Sequence, residues 1–517
     1  MGVERRGGGR RARGGRDKAA RTSAGIPQLP WRSVINPYTP IEILNPEQMD
    51  RLHDTSIRIL SELGIRVMGE KVMALFEQAG AIVDRDTQTI RIDESIVNAA
   101  LNTTPSSFTL TSRNPAKTLT IGGNALTFGL VAGPPNVHDR INGRRSGNLP
   151  DYENFIRLAH HFNAVHLIGN QVTSPMELPA NNRHLDTYRA NLTLSDLSFH
   201  CSAIGRGRAL DGINMMAIAR GVDVEEMANA PGVITIISVN SPRLLDDAMA
   251  EGLMAMAEHG QPVTITPFTL MGAMTPVTLP AALAQQNAEA LFGIVLTQLT
   301  KPGAPVMYGA FTSNVDMRSG APAFGTPENT KANIIAGQLA RRYSLPYRTS
   351  NANASNTVDL QAAYETGMAT WGAVMGGGNM VYHAAGWMEG GLTASYEKFI
   401  LDVEIIQNMM EFLEPIPFGE DDLGFDAIAS VPTGGHFFGA EHTMARYETA
   451  FYQPMLSDWQ NYENWEASGA QDAADRATAL WQKALEEYEE PKLDAAVQEH
   501  LDAYVAKRRE EIGNEEP

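Results

Sequence analysis

Between about Ala125 and Ala385 the chain alternates eight short β-rich runs with longer segments of helical periodicity. The runs are ALTFGLVA (125–132), VHLIGNQV (165–172), FHCSAIG (199–205) and VITIISVN (233–240), then PVTITPF (262–268), PVMYGAF (305–311), PYRTSN (346–351) and NMVYHAA (379–385). Segments such as DYENFIRLAHHF, SPRLLDDAMAEGLMAMAEHG and LQAAYETGMATWGAVMGG follow them with apolar residues at helical spacing. A strand that returns to pair in parallel needs a connection of helix length, so this alternation implies a parallel sheet. Eight units close a ring, and the expected fold is α/β, a (β/α)8 TIM barrel. An open doubly wound sheet is the rival. It calls for a Gly-rich phosphate turn after an early strand, and GRGRALDG after the third run is only a loose echo of one.

Around this barrel, taken as residues 125–415, the chain divides further. Residues 40–124 read as an N-terminal α+β extension covering the barrel floor or one flank. Residues 416–517 read as a C-terminal helical extension, whose last part is acidic helix divided in two by Pro491. Residues 1–25 are Gly/Arg-rich with almost nothing to bury, and are expected to be a disordered tail. A formal charge of −19 argues against a nucleic-acid surface, which needs clustered cations to displace counterions. The single cysteine, Cys201, allows no internal disulfide framework. No apolar run reaches the roughly 20 residues that span a bilayer, and no secretory signal opens the chain. A cytoplasmic protein is the expectation.

Barrel chemistry sits at the C-terminal ends of the strands. Strand five ends at Phe268, strand six at Tyr308 and Phe311, and strand seven leads into Asn351, Asn353 and Ser355. Strand eight offers His383, followed by Trp387 and Glu389. The inventory is aromatic and amide-rich, with few acids and almost no bases. Aromatic faces with a nearby carboxylate suit a quaternary ammonium group, which has no proton to donate. The same aromatics also serve as ordinary core. No HxH, HExxH or CxxC occurs, so no metal ligands are assigned, and GxSxG is absent. Glu397 and Lys398 open the last helix and read as its solvated surface.

Three stretches carry a resemblance. They are LTFGLVAGPPNVHDRINGRRSGNLPDYENFIRLAH, TPFTLMGAMTPVTLPAALAQQNAEALFGIVLTQLTKPGAPVMYG and DLQAAYETGMATWGAVMGGGNMVYHAAGWMEGGLTASYEKFILDVEII. Through them the chain resembles the trimethylamine methyltransferase family, which demethylates methylated amines and passes the methyl group to corrinoid proteins. The resemblance implies a barrel fold, in agreement with the strand count. The founding trimethylamine enzymes carry pyrrolysine in the segment corresponding to about 351–358, which here reads NANASNTV. Members without pyrrolysine look like quaternary-amine methyltransferases, with glycine betaine the best-known substrate class. The resemblance therefore implies methyl transfer from a glycine-betaine-like amine to the cob(I)alamin of a separate corrinoid carrier protein. No cofactor would be bound permanently: the cobalamin ligand motif DxHxxG is absent, as VHDRING and FHCSAIG both lack its spacing. A homo-oligomer is expected, without membrane or nucleic-acid partners. Under this reading Phe268, Tyr308, Phe311 and Trp387 are cage candidates and Glu389 balances the ammonium charge. Asn351, Asn353 and Ser355 orient a substrate carboxylate, and a protonated His383 pairs with it. The alternatives are a barrel that binds a methylated metabolite without transferring methyl, and transfer from trimethylamine or another betaine.

Overall fold

The computed structural model describes residues 25–513, so all but Gly25 of the Gly/Arg-rich stretch lies outside the described residues. All eight expected strands are present. They are β1 (Ala125–Leu130), β2 (Leu167–Ile168), β3 (Ser198–His200), β4 (Val233–Ile237), β5 (Val263–Ile265), β6 (Val306–Gly309), β7 (Tyr347–Ser350) and β8 (Met380–Ala385). Each pairs in parallel with the next, and β8 returns to β1 with Met380 opposite Thr127. The closed ring excludes the open-sheet alternative. Outside it lie α1 (Leu149–His161), α2 (Arg183–Leu194), α3 (Arg206–Arg220), α4 (Asp247–Glu258), α5 (Leu279–Thr300), α6 (Pro327–Arg342), α7 (Leu360–Met375) and α8 (Tyr396–Phe412).

One end of the lumen is plugged. Leu167, Ile234, Met307, Met380 and Tyr382 pack against Leu110, Leu119 and Ile121 of an antiparallel hairpin, Ser107–Leu110 with Leu119–Gly122. Burial of such side chains stabilises by roughly 1.5–3 kcal/mol each, which fixes the hairpin as a floor. The helices Pro46–Arg58 and Glu70–Gln78 lie against α5, with Phe76 stacked on Phe292 at 4.6 Å between ring centroids. Helix α5 is therefore buried around most of its circumference and has no single apolar stripe. Its polar residues find partners: Asn287 Nδ2 donates to Ser56 Oγ and to the Tyr343 hydroxyl, each at 2.9 Å.

Residues Pro415–Met455, together with residues 25–27, form a separate unit containing the short helices Glu420–Leu423, Phe425–Ser430 and Glu441–Met444. From Leu456 the chain belongs to the barrel unit again. Helix Ala473–Glu486 packs on α8, and Ala495–Ile512 packs on α2 and α3. This packing corrects one expectation. Glu397 and Lys398 are fully buried, not solvated. Glu397 accepts from Thr478 Oγ1 at 2.9 Å and from Trp481 Nε1 at 3.0 Å, because Ala473–Glu486 covers the start of α8. Lys398 pairs with Asp402 and donates to Thr366 Oγ1 of α7 at 2.8 Å. Among the described residues no helix is long and apolar enough to cross a membrane.

Candidate functional site

At the open end, two strand pairs extend the barrel upward. Phe268–Met271 runs parallel to Phe311–Val315, with Phe268 opposite Phe311. That register sets their rings 5.1 Å apart. Phe324, from the loop before α6, stacks on Phe311 at 5.2 Å. Trp387 follows β8 on a short strand pairing with Thr393–Ser395, and meets Phe311 edge-on at 6.0 Å. Phe268, Phe311, Phe324 and Trp387 thus form one aromatic cluster over the strand ends.

Below the cluster lies a polar layer, and the period-2 alternation of strands determines its members. On β7, Arg348 and Ser350 point inward, while Tyr347 points out and donates to the Asn333 carbonyl at 2.9 Å. Arg348 is 1% exposed, and its guanidinium carbon lies 5.3 Å from the Phe311 ring centre and 5.1 Å from that of Tyr382. Burial lowers its pKa to about 10, which leaves it charged at neutral pH. Space for these groups comes from missing side chains. A Cβ on Gly129 would lie 2.9 Å from the Tyr382 ring, and one on Gly309 would lie 1.9 Å from Thr266 Oγ1.

Strand β8 breaks its alternation at a bulge between Val381 and Ala385, where His383 takes a φ of +55°. The kink turns the imidazole inward, an arrangement typical of bulges beside functional sites. Its Nδ1 is 2.9 Å from Ser350 Oγ, and its ring lies 4.0 Å from Trp387 and 5.4 Å from Phe311. Burial, followed by the charge of Arg348 and the proximity of His200, holds His383 well below the ordinary histidine pKa. His200 is likewise pushed down, to about 3, by burial and Arg348. Its Nε2 accepts from the Ile236 N–H at 3.1 Å, so the neutral ring carries its proton on Nδ1, 2.5 Å from the Tyr382 hydroxyl. Both rings are neutral at physiological pH.

The sequence-derived candidates separate into groups. Phe268, Phe311, His383 and Trp387 come together at the mouth. Asn351 and Asn353 are buried beside it; Asn351 Nδ2 donates to the Ala384 carbonyl at 3.2 Å, and Asn353 Oδ1 accepts from Thr366 Oγ1 at 3.2 Å. Ser355 is used within its own turn, donating to the Thr357 carbonyl at 2.7 Å. Tyr308 faces away from the lumen, where its hydroxyl donates to Asn287 Oδ1 of α5 at 2.9 Å. It sits one residue out of phase with inward-facing Met307 and Gly309. Glu389 is already paired with Arg144 at 2.8 Å and bonded to Thr393. The His383 environment favours the neutral ring, contrary to the protonated form expected. Cys201 packs outward against Gly212, and burial raises its thiol pKa to about 12. Arg348 and Phe324 were missed. A lone arginine in a short strand, two residues before an inward serine, was the available signal for the first.

Several buried polar atoms here have no partner: Thr266 Oγ1, Arg348 Nε, Asn351 Oδ1 and Trp387 Nε1. Native interiors rarely leave such groups unmet. A cleft of about 560 Å³ opens at the opposite, N-terminal end of the strands, lined by Asn36, Ser107, Arg341 and Asn379 among others. It has no comparable aromatic cluster, and barrel chemistry belongs to the other face. No group of three His, Cys, Asp or Glu residues among the described residues is arranged to hold a metal ion.

Comparison with known proteins places this (β/α)8 barrel among the methyltransferases. It belongs to the trimethylamine methyltransferase family, whose profile, described as Trimethylamine methyltransferase (MTTB), matches residues 6–513. The chain is 36% identical to the glycine betaine methyltransferase of Desulfitobacterium hafniense (strain Y51), over 92% of this chain and 98% of that one. It is 27% identical to trimethylamine methyltransferase MttB of Desulfitobacterium hafniense (strain DSM 10664 / DCB-2), over 90% and 94%. Proline betaine:corrinoid methyltransferase of Eubacterium limosum is 26% identical over 86% and 92%.

Proposed function

We propose that this methyltransferase takes a methyl group from a quaternary amine of the glycine betaine class and delivers it to a cobalamin carried by a separate corrinoid protein. The observation that carries this reading is the aromatic cluster of Phe268, Phe311, Phe324 and Trp387, set above histidines that are neutral at physiological pH. A permanently charged ammonium gains about 2 kcal/mol from a desolvated aromatic face and needs no proton from the enzyme. The relative that is 36% identical over nearly its whole length supports the same substrate class.

The acceptor supplies a cobalt(I) nucleophile, the C–N electron pair stays on nitrogen, and a neutral tertiary amine leaves. What remains for the protein is to hold the amine with one methyl in line and to exclude water. The cluster holds the ammonium by its faces. The buried amides and hydroxyls beneath it fix orientation without competing for a proton. A cytoplasmic setting, with reductant available to maintain cobalt(I), fits this chemistry.

A homo-oligomer also fits. Ile416, Phe418, Phe425, Phe438 and Phe451 are largely exposed within one short stretch, the mark of a surface covered in an assembly. Light scattering should give a multiple of the chain mass, and the mass of one chain would contradict it.

The test of function is methylation of a corrinoid protein by the purified chain with a panel of methylated amines. Turnover with glycine betaine or a related betaine supports the reading. Ligand binding without methyl transfer from any quaternary amine would overturn it.

A further inference from the structure

Arg348 is a buried cation with no counterion. Among the described residues no acid pairs with it, and its one hydrogen-bond acceptor is the Ala310 carbonyl at 3.3 Å. A charge taken out of water normally finds an opposite charge or is replaced. Nor is it isolated from the mouth, since Phe311 joins it to the cluster. The guanidinium lies 5.3 Å from that ring, while Phe268, Phe324 and Trp387 surround the same ring at 5.1, 5.2 and 6.0 Å. The unpartnered atoms nearby are mostly donors: Arg348 Nε, Trp387 Nε1 and the Thr266 hydroxyl. A site with a fixed cation, spare N–H and O–H groups and adjoining aromatic faces matches a zwitterion whose anionic and cationic ends are close together.

We propose that Arg348 anchors the carboxylate of a carboxylated quaternary amine and so selects zwitterions over simple cations. The proposal rests on the quaternary-amine reading above and deepens it. A planar guanidinium suits a carboxylate, which it grips with paired N–H donors. With the carboxylate seated on Arg348, a spacer of one methylene carries the ammonium onto the aromatic cluster nearer the open end. The N-methyl groups then face the side from which an acceptor arrives. Trimethylamine, protonated in water, or tetramethylammonium would instead bring a positive charge towards an uncompensated guanidinium, which repels it. Arg348 thereby sets both specificity and orientation, and is a substrate-positioning residue.

The test is calorimetric binding of glycine betaine and tetramethylammonium to the whole chain, with and without substitution, together with methyl-transfer kinetics on both. The wild type should bind glycine betaine at least 100-fold more tightly than tetramethylammonium. R348M should lower that ratio to near one, chiefly by weakening glycine betaine. R348K should fall between, since it keeps the charge and loses the fork. A ratio near one in the wild type, or a ratio unchanged in R348M, would overturn the assignment. If R348M does not fold, as judged by its thermal unfolding transition, the wild-type ratio and R348K still decide the question. Binding needs no turnover. If no quaternary amine is demethylated but Arg348 still governs glycine betaine affinity, the functional reading fails and the carboxylate site stands.

Discussion

The imidazole of His383 lies 4.0 Å from the Trp387 indole, centroid to centroid, while its Nδ1 meets Ser350 Oγ at 2.9 Å. The contact depends on the bulge in β8, which turns a residue due to face outward into the lumen. It fixes the indole on one side of the aromatic cluster and leaves its Nε1 without a partner.

If the indole face holds the ammonium, Trp387→Ala removes the largest ring of the cluster. A desolvated cation–π contact of about 2 kcal/mol corresponds to a roughly 30-fold rise in KM for the methylated amine. Trp387→Phe should recover much of the loss. Steady-state kinetics of the two variants check this, and equal defects would argue against a face-on role.

Three of the buried histidines make stability depend on pH. His166 and His200 are pushed down to about 4 and 3, and His383 is also lowered, in each case first by burial. In the unfolded chain all three titrate near the ordinary histidine value of about 6.5. Below that pH the unfolded state binds protons that the folded state refuses, so stability is full above about 6.5 and falls as pH drops towards 4. At pH 5 the loss is of order 1–2 kcal/mol for each of His166 and His200, and His383 acts in the same direction. Denaturant titrations at pH 7 and 5 should show it. Equal midpoints would contradict the neutral assignment.

Tyr308 provides an internal control. Tyr308→Phe removes a hydroxyl bonded to Asn287 Oδ1 outside the lumen, which should cost about 1–2 kcal/mol of stability. KM for the amine should not change. Thermal unfolding and kinetics on one preparation separate the two effects.

The Lys398–Asp402 pair should matter in both respects. Lys398→Met leaves Asp402 buried and unpaired, a loss of roughly 3–5 kcal/mol. Lys398→Met with Asp402→Leu should regain much of that. The double variant still lacks the Asp402 carboxylate that accepts from the Gly386 N–H at 2.8 Å, next to Trp387. Its KM should therefore stay raised after stability returns, measured by unfolding midpoint and amine kinetics.

The barrel was legible in the sequence because each strand is punctuated by a helix of the right length, a pattern that survives without any knowledge of contacts. The site was legible in outline for the same reason: strand ends name their neighbours. What failed was direction. Tyr308 and Phe311 stand at the end of one run, yet a period of two sends them to opposite sides of the wall, and no sequence signal fixes that register. His383 breaks even this rule through the bulge. Arg348 escaped notice because its meaning lies in the absence of an acid partner, which is a property of the packed interior. Lys398 looked like helix surface because the helix covering α8 begins some 75 residues later, at Ala473.

The most direct measurement of the central claim is the fate of an isotopically labelled N-methyl group. Glycine betaine labelled in its methyls is mixed with the purified chain, a reduced corrinoid protein and no other methyl donor. The account predicts one labelled methyl on the corrinoid for each dimethylglycine formed. Label that remains wholly on glycine betaine, while trimethylamine under the same conditions methylates the corrinoid, would contradict it.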